Sequence, residues 1–567
     1  MWWALGWVAL AVEAGPTEAL LVAELDRAMD ALEGADEVPH YTALTVSDWH
    51  EVTLRARDGT LAFEQDERSR YLDVDLRVGK PELDTTHPLR GFSSLDGDDR
   101  SPLQVPLVDG PAMHHAVWRE LDTRYREAAE RIVVLRANQN VKIEEEDPAP
   151  DFQPLDEGHV ERLDTPELAI DLGPWTTALV AASERLEADP DVVQATVTLD
   201  ADRVAFTMVD TEGARLVHGR RHARLSLHVQ GIADDGDEVS VFRAVDVHDP
   251  DRLPDTDALL QWADEAREDL QARLAAPRAE PYSGPVLLEG RAAGVFFHEV
   301  MGHRVEGHRQ KRDSEGKTFA DHVGKPVLPP FIDVIDDPTV DELAGEQLNG
   351  HYAYDDEGIP AAPAVLVDDG VFRGFLMSRS PIAGFPESNG HGRRSVGRQP
   401  LARMGNTLVT TSKESTREQL RAQLLAEVRD QGLDYGYIVD EIAGGFTMTG
   451  RVMPNAFNVR ASTTYRVYAD GRPDELVRGI DLVGTPFVAF ANLVAAGDDP
   501  QVFNGSCGAE SGWVPVSAVA PSMLFRKLEF QLKEKGEDRP PLLPKPLPDG
   551  ADDGSSAVPA TTDGGAL

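Results

Sequence analysis

Apolar and polar residues alternate along much of the first half of the chain, and stretches of helical spacing interrupt the alternation. Residues 16–33 set Ala19, Leu20, Leu21, Leu25, Met29 and Leu32 near a helical stripe with Gly34 as a stop, which predicts a first helix. Alternating runs follow at 42–46, 52–56, 61–63 and 71–78, and Asp58-Gly59 between two of them is a hairpin signal. A long charged helix is predicted over 111–135, and the acidic run of Glu144, Glu145, Glu146 and Asp147 beyond it reads as a solvated loop. A helix over 175–186, strands at 193–199, 203–209, 223–229 and 239–247, and a helix over 255–274 complete this half.

Helices mixed with hairpins, without strict βαβ alternation, predict an α+β fold of two domains built mainly from antiparallel sheets with helices. The proline-rich segment 277–281 follows a finished helix and precedes a new strand, so it is the expected boundary between an N-terminal α+β domain (16–278) and a second domain (279–540). The second domain is richer in glycine and has strand-like runs at 364–367, 372–376, 407–411, 458–468 and 476–482. Residues 541–567 turn to Pro, Gly, Asp, Ser and Ala, too little apolar surface to offset ordering entropy, and are expected to be a disordered tail. No internal repeat of 20–50 residues is evident.

Composition narrows the functions. Of 567 residues 41% are hydrophobic, enough for a sizeable core, and the formal net charge is −44. Such acidity argues against nucleic-acid partners, which need a basic face to release counterions, and against docking on anionic membranes. Only ten of the fifty-five cationic residues are Lys, so most positive charge sits on bidentate-capable guanidinium groups. One cysteine excludes an intrachain disulfide. Residues 2–12 are apolar, and Val12-Glu13-Ala14 has the small-residue spacing of a signal-peptidase site. Residues 1–15 are therefore a candidate signal peptide, and an exported or periplasmic location is expected over a cytoplasmic one. No Lys or Arg precedes Arg27, so a first helix packed on the domain is the competing reading. Eleven apolar residues are too few to span a bilayer, and no other stretch predicts a membrane span.

The candidate chemistry lies in Gly294-Val-Phe-Phe-His298-Glu299-Val-Met-Gly302-His303-Arg-Val-Glu306-Gly307-His308. Two imidazoles suit a zinc ion, and a carboxylate between them in sequence can accept a proton from water. The histidines are five residues apart, however, which puts them roughly 140° apart on a regular helix. Both rings reach one ion only if the helix ends or bulges near Gly302. A half-buried helix with two surface histidines would carry the same letters. Cys507, in Asn504-Gly505-Ser506-Cys507-Gly508, is a candidate third ligand, since two His and one Cys leave the open position that catalysis requires. An inert buried thiol is its other reading, and Glu306 and His308 are alternative third ligands. The pairs His114-His115 and Asp321-His322 are read as structural, and His391 has no spacing that compels a role.

The motif His298-Glu299-Val-Met-Gly302-His303-Arg-Val-Glu306-Gly307 resembles the His-Glu-x-x-Gly-His-x-x-Glu-Gly of the TldD/PmbA (modulator of DNA gyrase) metallopeptidase family. Asp355-Asp356-Glu357-Gly358, Asn389 with Arg393-Arg394, and Ser506-Cys507-Gly508 match further landmarks in the family's order. The resemblance runs well over 282–526 and only in outline before it. It implies a TldD-type, metal-bearing subunit with Zn2+ held by His298, His303 and Cys507 and with Glu299 as general base. It also implies two α+β domains, and a homodimer, or a heterodimer with a sister subunit, enclosing the active sites. The implied activity is hydrolysis of short or unfolded peptides. Arg393, Arg394 and Asn389 are candidate substrate-binding residues, the arginines suited to peptide carbonyls or a terminal carboxylate. The family usually has Asp after Glu-Gly where this chain has His308. The alternative reading is a non-catalytic or regulatory subunit with a structural metal site. A third is an exported binding protein with a vestigial motif.

Overall fold

The computed structural model describes residues 14–88, 102–139, 147–311, 315–451 and 456–533. The tail 541–567, most of the candidate signal peptide and all but the last residue of the acidic run 144–147 lie outside these.

The N-terminal half is one large, mainly antiparallel sheet under four helices. After α1 (Pro16–Leu32), β1 (Pro39–Arg57) and β2 (Thr60–Lys80) form a hairpin whose turn residues, Asp58 and Gly59, both have positive φ. Helix α2 (Pro111–Gln139) and helix α3 (Leu172–Glu187) follow, then β3 (Val192–Asp210), β4 (Arg215–Ile232), β5 (Glu238–Val247) and α4 (Thr256–Ala275). The strand order is β2-β1-β3-β4-β5, each neighbour antiparallel. Short apolar runs that read as separate strands are merged here. The charged residues between them, such as those at 64–68, sit on the solvated edge of a continuous ladder, where pairing needs no apolar side chain. In β1 the even-numbered Leu44, Val46, Val52, Leu54 and Ala56 are buried beneath the helices, α1 and α2 at one end and α3 and α4 at the other.

Strands from Tyr282 onward pair only with one another among the described residues. They include β6 (Tyr282–Leu288), β7 (Ile332–Asp336), β8 (Ala364–Asp368), β9 (Asn406–Thr411), β10 (Tyr435–Thr447), β11 (Phe457–Tyr468), β12 (Ile480–Gly484), β13 (Leu493–Gly497), β14 (Gln501–Ala509), β15 (Gly512–Ala520) and β16 (Met523–Leu532). One sheet runs β8-β7-β9-β15-β14. In the other, β16-β12-β11-β10-β6 closes on itself because β16 also pairs with β6. Helix α5 (Gly290–Val300) is wedged between the two, against β10 on one side and β14 and β15 on the other. Every residue of α5 except Arg291 is buried, including His298 and Glu299 in its last turn. This is the mixed α+β architecture that the pattern predicts. No helix among the described residues is long and apolar enough to cross a membrane.

Candidate metal centre

The helix carrying His298 and Glu299 stops where the five-residue spacing requires it to stop. Met301 leaves the helical path (φ −111°, ψ −51°) and Gly302–Val305 form one 3-10 turn. The guanidinium of Arg304 folds back over the break, donating to the carbonyls of Glu299 (3.0 Å) and Val300 (2.9 Å) and to that of Ala456 (3.2 Å). It satisfies carbonyls that the interrupted helix would leave unpaired. At Gly302 a Cβ would lie 2.0 Å from the Sδ of Met404, so the turn sits directly on that side chain. The outcome is that the rings of His298 and His303 stand 5.3 Å apart at 80° instead of on opposite faces of a helix.

Cys507 reaches the same point from strand β14. Strand alternation turns it into the core, 4% exposed, while Ser506 and Gly508 face outward. Its Sγ lies 3.4 Å from Nε2 of His303, 204 residues away, and the donor atoms of His298, His303 and Cys507 all fall within 4.8 Å of one another. Tetrahedral zinc with bonds of about 2.0–2.1 Å to nitrogen and 2.3 Å to sulfur places N and S about 3.6 Å apart, so the donor set fits the ion in type and spacing. Nδ1 of His298 has no hydrogen-bond partner. Burial pushes the Cys507 thiol up, but the two imidazoles outweigh it and hold the thiol well below the ordinary cysteine range. Burial likewise works against protonation of His303, yet Cys507 and Glu306 push it up to about 10. Those protons leave when a cation takes their place.

Glu306 and His308, the other candidate third ligands, stand behind this set. Glu306 approaches Nδ1 of His303 through Oε1 (3.3 Å) and accepts from Arg309 through Oε2 (2.9 Å). His308 is buried with its Nε2 3.9 Å from Glu510. Arg309 holds Glu510 in a bidentate pair (2.9 and 3.0 Å) and also reaches Glu315. Glu306, Glu315 and Glu510 thus all meet at Arg309. Glu299 is 8% exposed, and a Cβ on Gly445 of β10 would come within 3.0 Å of its Cγ.

Arg393, Arg394 and Asn389 are not brought to the three ligands. Asn389 accepts from the Met377 amide (2.7 Å) and donates to the Phe375 carbonyl (2.9 Å). Arg393 donates to the carbonyls of Met404 and Pro515 and lies over the Tyr352 ring. Arg394 pairs with Asp73 of β2 (2.6 Å) across the two halves of the chain. Both arginines border a cavity of about 900 Å³ between the odd-numbered face of β1 (Thr45, Trp49, Glu51) and the C-terminal half. Ser506 borders it too, while its neighbour Cys507 is turned into the core. The Asp355–Gly358 turn docks on the same arginine segment, Asp355 accepting from the Gly392 amide (2.8 Å) and Asp356 from that of Arg394 (2.8 Å). His114 bonds Glu24 (2.8 Å), His391 bonds Asn389 (2.9 Å), and His322 stacks on Phe487 (4.5 Å).

Sequence reasoning passed over Arg304, Arg309, Arg403 and Glu510. The available signal was the excess of Arg over Lys, but it does not say which arginines are buried.

Residues 281–532 match the family model described as PmbA/TldA metallopeptidase C-terminal domain. The chain is 31% identical over 245 residues to a protein named metalloprotease from Methanothermobacter thermautotrophicus, covering 42% of this chain and 48% of that one. It is 24% identical over 261 residues to a zinc metalloprotease TldD homolog from Saccharolobus solfataricus, covering 46% and 53%. The chain spans about half the length of these curated relatives. Among solved structures, it resembles TldE from Thermococcus kodakarensis (TM-score 0.57, 14% identity, 91% of this chain and 100% of that one). It also resembles a protein described as a modulator of DNA gyrase from Thermotoga maritima (TM-score 0.57, 18% identity, 90% and 100%). These structural likenesses extend over both halves of the fold.

Proposed function

The chain belongs to the TldD/PmbA family through residues 281–532, and on that premise we propose that it is a zinc-dependent peptidase of short or unfolded peptides. The observation carrying this reading is the 3.4 Å approach of Cys507 Sγ to His303 Nε2 beside His298. His298, His303 and Cys507 would hold the ion. When bound, zinc lowers the pKa of a coordinated water towards about 7 and polarises a carbonyl. Glu299, next in sequence to one ligand and confined by Gly445, takes a proton from the attacking water and returns it to the leaving amine, a contribution of roughly 10²–10⁴. Burial of the centre keeps bulk water from these charges.

His298, His303 and Cys507 converge while Glu306 and His308 fall outside that group, which favours an open coordination position and hence catalysis over the alternative of a closed structural site. Peptide contacts by Arg393, Arg394 or Asn389 are a proposal as well. The side chains of Arg393 and Arg394 already hold protein groups, which suits them to shaping the cavity wall. Likeness to a structure named TldE supports pairing with a sister subunit, and a homodimer is the other form of the same proposal. The test is metal content of the purified chain together with hydrolysis of unstructured peptides with and without chelator. One zinc per chain and chelator-sensitive cleavage support the reading; a chain that takes up no zinc overturns it.

A further inference from the structure

Behind the donor set lies a buried ionic bridge that joins two of the three ligands and stands outside the proposed chemistry. Arg403 is 0% exposed. Its Nη2 donates to the carbonyl of Cys507 (2.7 Å), its Nη1 to Ser511 Oγ (2.9 Å) and the Gly512 carbonyl (3.1 Å), and its Nε lies 3.2 Å from Glu306 Oε1. The same Oε1 is 3.3 Å from Nδ1 of His303. Each of Nδ1, Oε1 and Nε is buried without a regular hydrogen bond, although the three converge at ion-pair distance. Oε2 of Glu306 is already taken by Arg309, so Oε1 is the oxygen left for the imidazole.

Building on the proposed metal centre, we infer that Glu306 and Arg403 are positioning residues. Glu306 accepts the Nδ1 proton of His303 and so fixes Nε2, the nitrogen facing Cys507, as the neutral ligand; Arg403 ties that carboxylate to the backbone of Cys507. One guanidinium thereby sets the separation of two ligands 204 residues apart in sequence. Carboxylates behind ligating histidines act this way generally, and their loss costs 10–100-fold in metal affinity or activity. Lysine at 403 could not replace the arginine, because a point charge cannot grip Glu306, the Cys507 carbonyl and the β14–β15 turn at once.

The test is zinc affinity of the full chain, by competition with a chromogenic chelator, for wild type, Glu306→Asp, Glu306→Gln, Arg403→Lys and Arg379→Lys. Arg379 is an equally buried arginine that holds Glu212 and the Gln153 carbonyl and touches none of the ligands. Glu306→Asp keeps the charge that Arg309 and Arg403 need, and it decides the question if Glu306→Gln fails to fold. The expected result is a ten- to hundredfold loss of affinity in the folded Glu306 and Arg403 variants, with Arg379→Lys at the wild-type value even if its melting temperature falls. In the cobalt-substituted chain, the thiolate-to-cobalt charge-transfer band is expected to shift in Arg403→Lys. Affinity within twofold of wild type in Glu306→Asp and Arg403→Lys, or an equal loss in Arg379→Lys, overturns the inference while leaving the proposed function standing. Wild type that binds no zinc removes both.

Discussion

Replacing Gly445 by alanine tests the placement of the proposed base without touching a ligand. The new methyl would lie 2.9 Å from the carbonyl oxygen of Asn458 and 3.0 Å from Cγ of Glu299, against an ordinary carbon–carbon contact of about 3.5–4.0 Å. The φ of Gly445 is outside the left-handed region, so alanine meets a steric obstacle and not a backbone one. Asn458 belongs to β11, paired in register with Phe446, and is held by the ladder. The Glu299 side chain is the freer partner and must retreat by about 0.5–1 Å. Misplacement of that size costs roughly 10²-fold in rate, or about 2.7 kcal/mol at the transition state. Overpacking should lower stability by about 1–3 kcal/mol. The assay is kcat/KM for an unstructured peptide, alongside zinc content and a thermal melt. Zinc content should remain at the wild-type value while kcat/KM falls about a hundredfold. A folded, zinc-loaded Gly445→Ala chain with wild-type kcat/KM would refute the assignment of Glu299.

Other outcomes are equally specific. Glu299→Gln should keep zinc and lose about 10²–10⁴ in cleavage rate; unchanged cleavage sinks the base role. Cys507→Ser should lose metal retention severely, read as zinc content after gel filtration, and full occupancy would remove the thiolate from the ligand set. Stability should depend on pH through the network of His222 with Asp202 and Asp246, where His222 Nε2 and Arg224 Nε both meet Asp246 at 2.8 Å. Burial opposes charge on all three groups, yet their partners outweigh it, holding both carboxyls below the usual carboxylate range and raising His222 above the usual imidazole value. The aspartate contribution is therefore present above about pH 4 and fades in more acid solution, while the His222 contribution is complete below about pH 6.5 and fades as pH rises through its raised value. His222→Gln should shrink the fall in melting temperature between pH 6 and pH 9, and an unaltered fall would contradict this sign.

The parts of the fold written in local pattern were readable. Asp58-Gly59 located the first hairpin. The five-residue gap to His303 required a broken helix near Gly302, which is where the helix stops. Strand length was less readable, because the charged middle of the first hairpin gives no apolar signal on its solvated face. Cys507 stood out as the single cysteine, though its convergence on the histidines rests on a strand 204 residues away. Arg304, Arg309 and Arg403 were invisible for a physical reason. A guanidinium is buried only when tertiary structure supplies carbonyls and carboxylates to receive it, and those partners, such as Ala456, Glu510 and Cys507, are remote in sequence. The same physics governs Arg393 and Arg394, whose forks are filled by Asp73 and by the Met404 and Pro515 carbonyls.

X-ray absorption at the zinc edge of the purified, zinc-loaded chain puts the account's central assertion most directly at risk. One sulfur neighbour at about 2.3 Å and nitrogen neighbours at about 2.0–2.1 Å, with the sulfur lost in Cys507→Ser, are the predicted result. A zinc shell without sulfur, or no tightly held zinc, would contradict it.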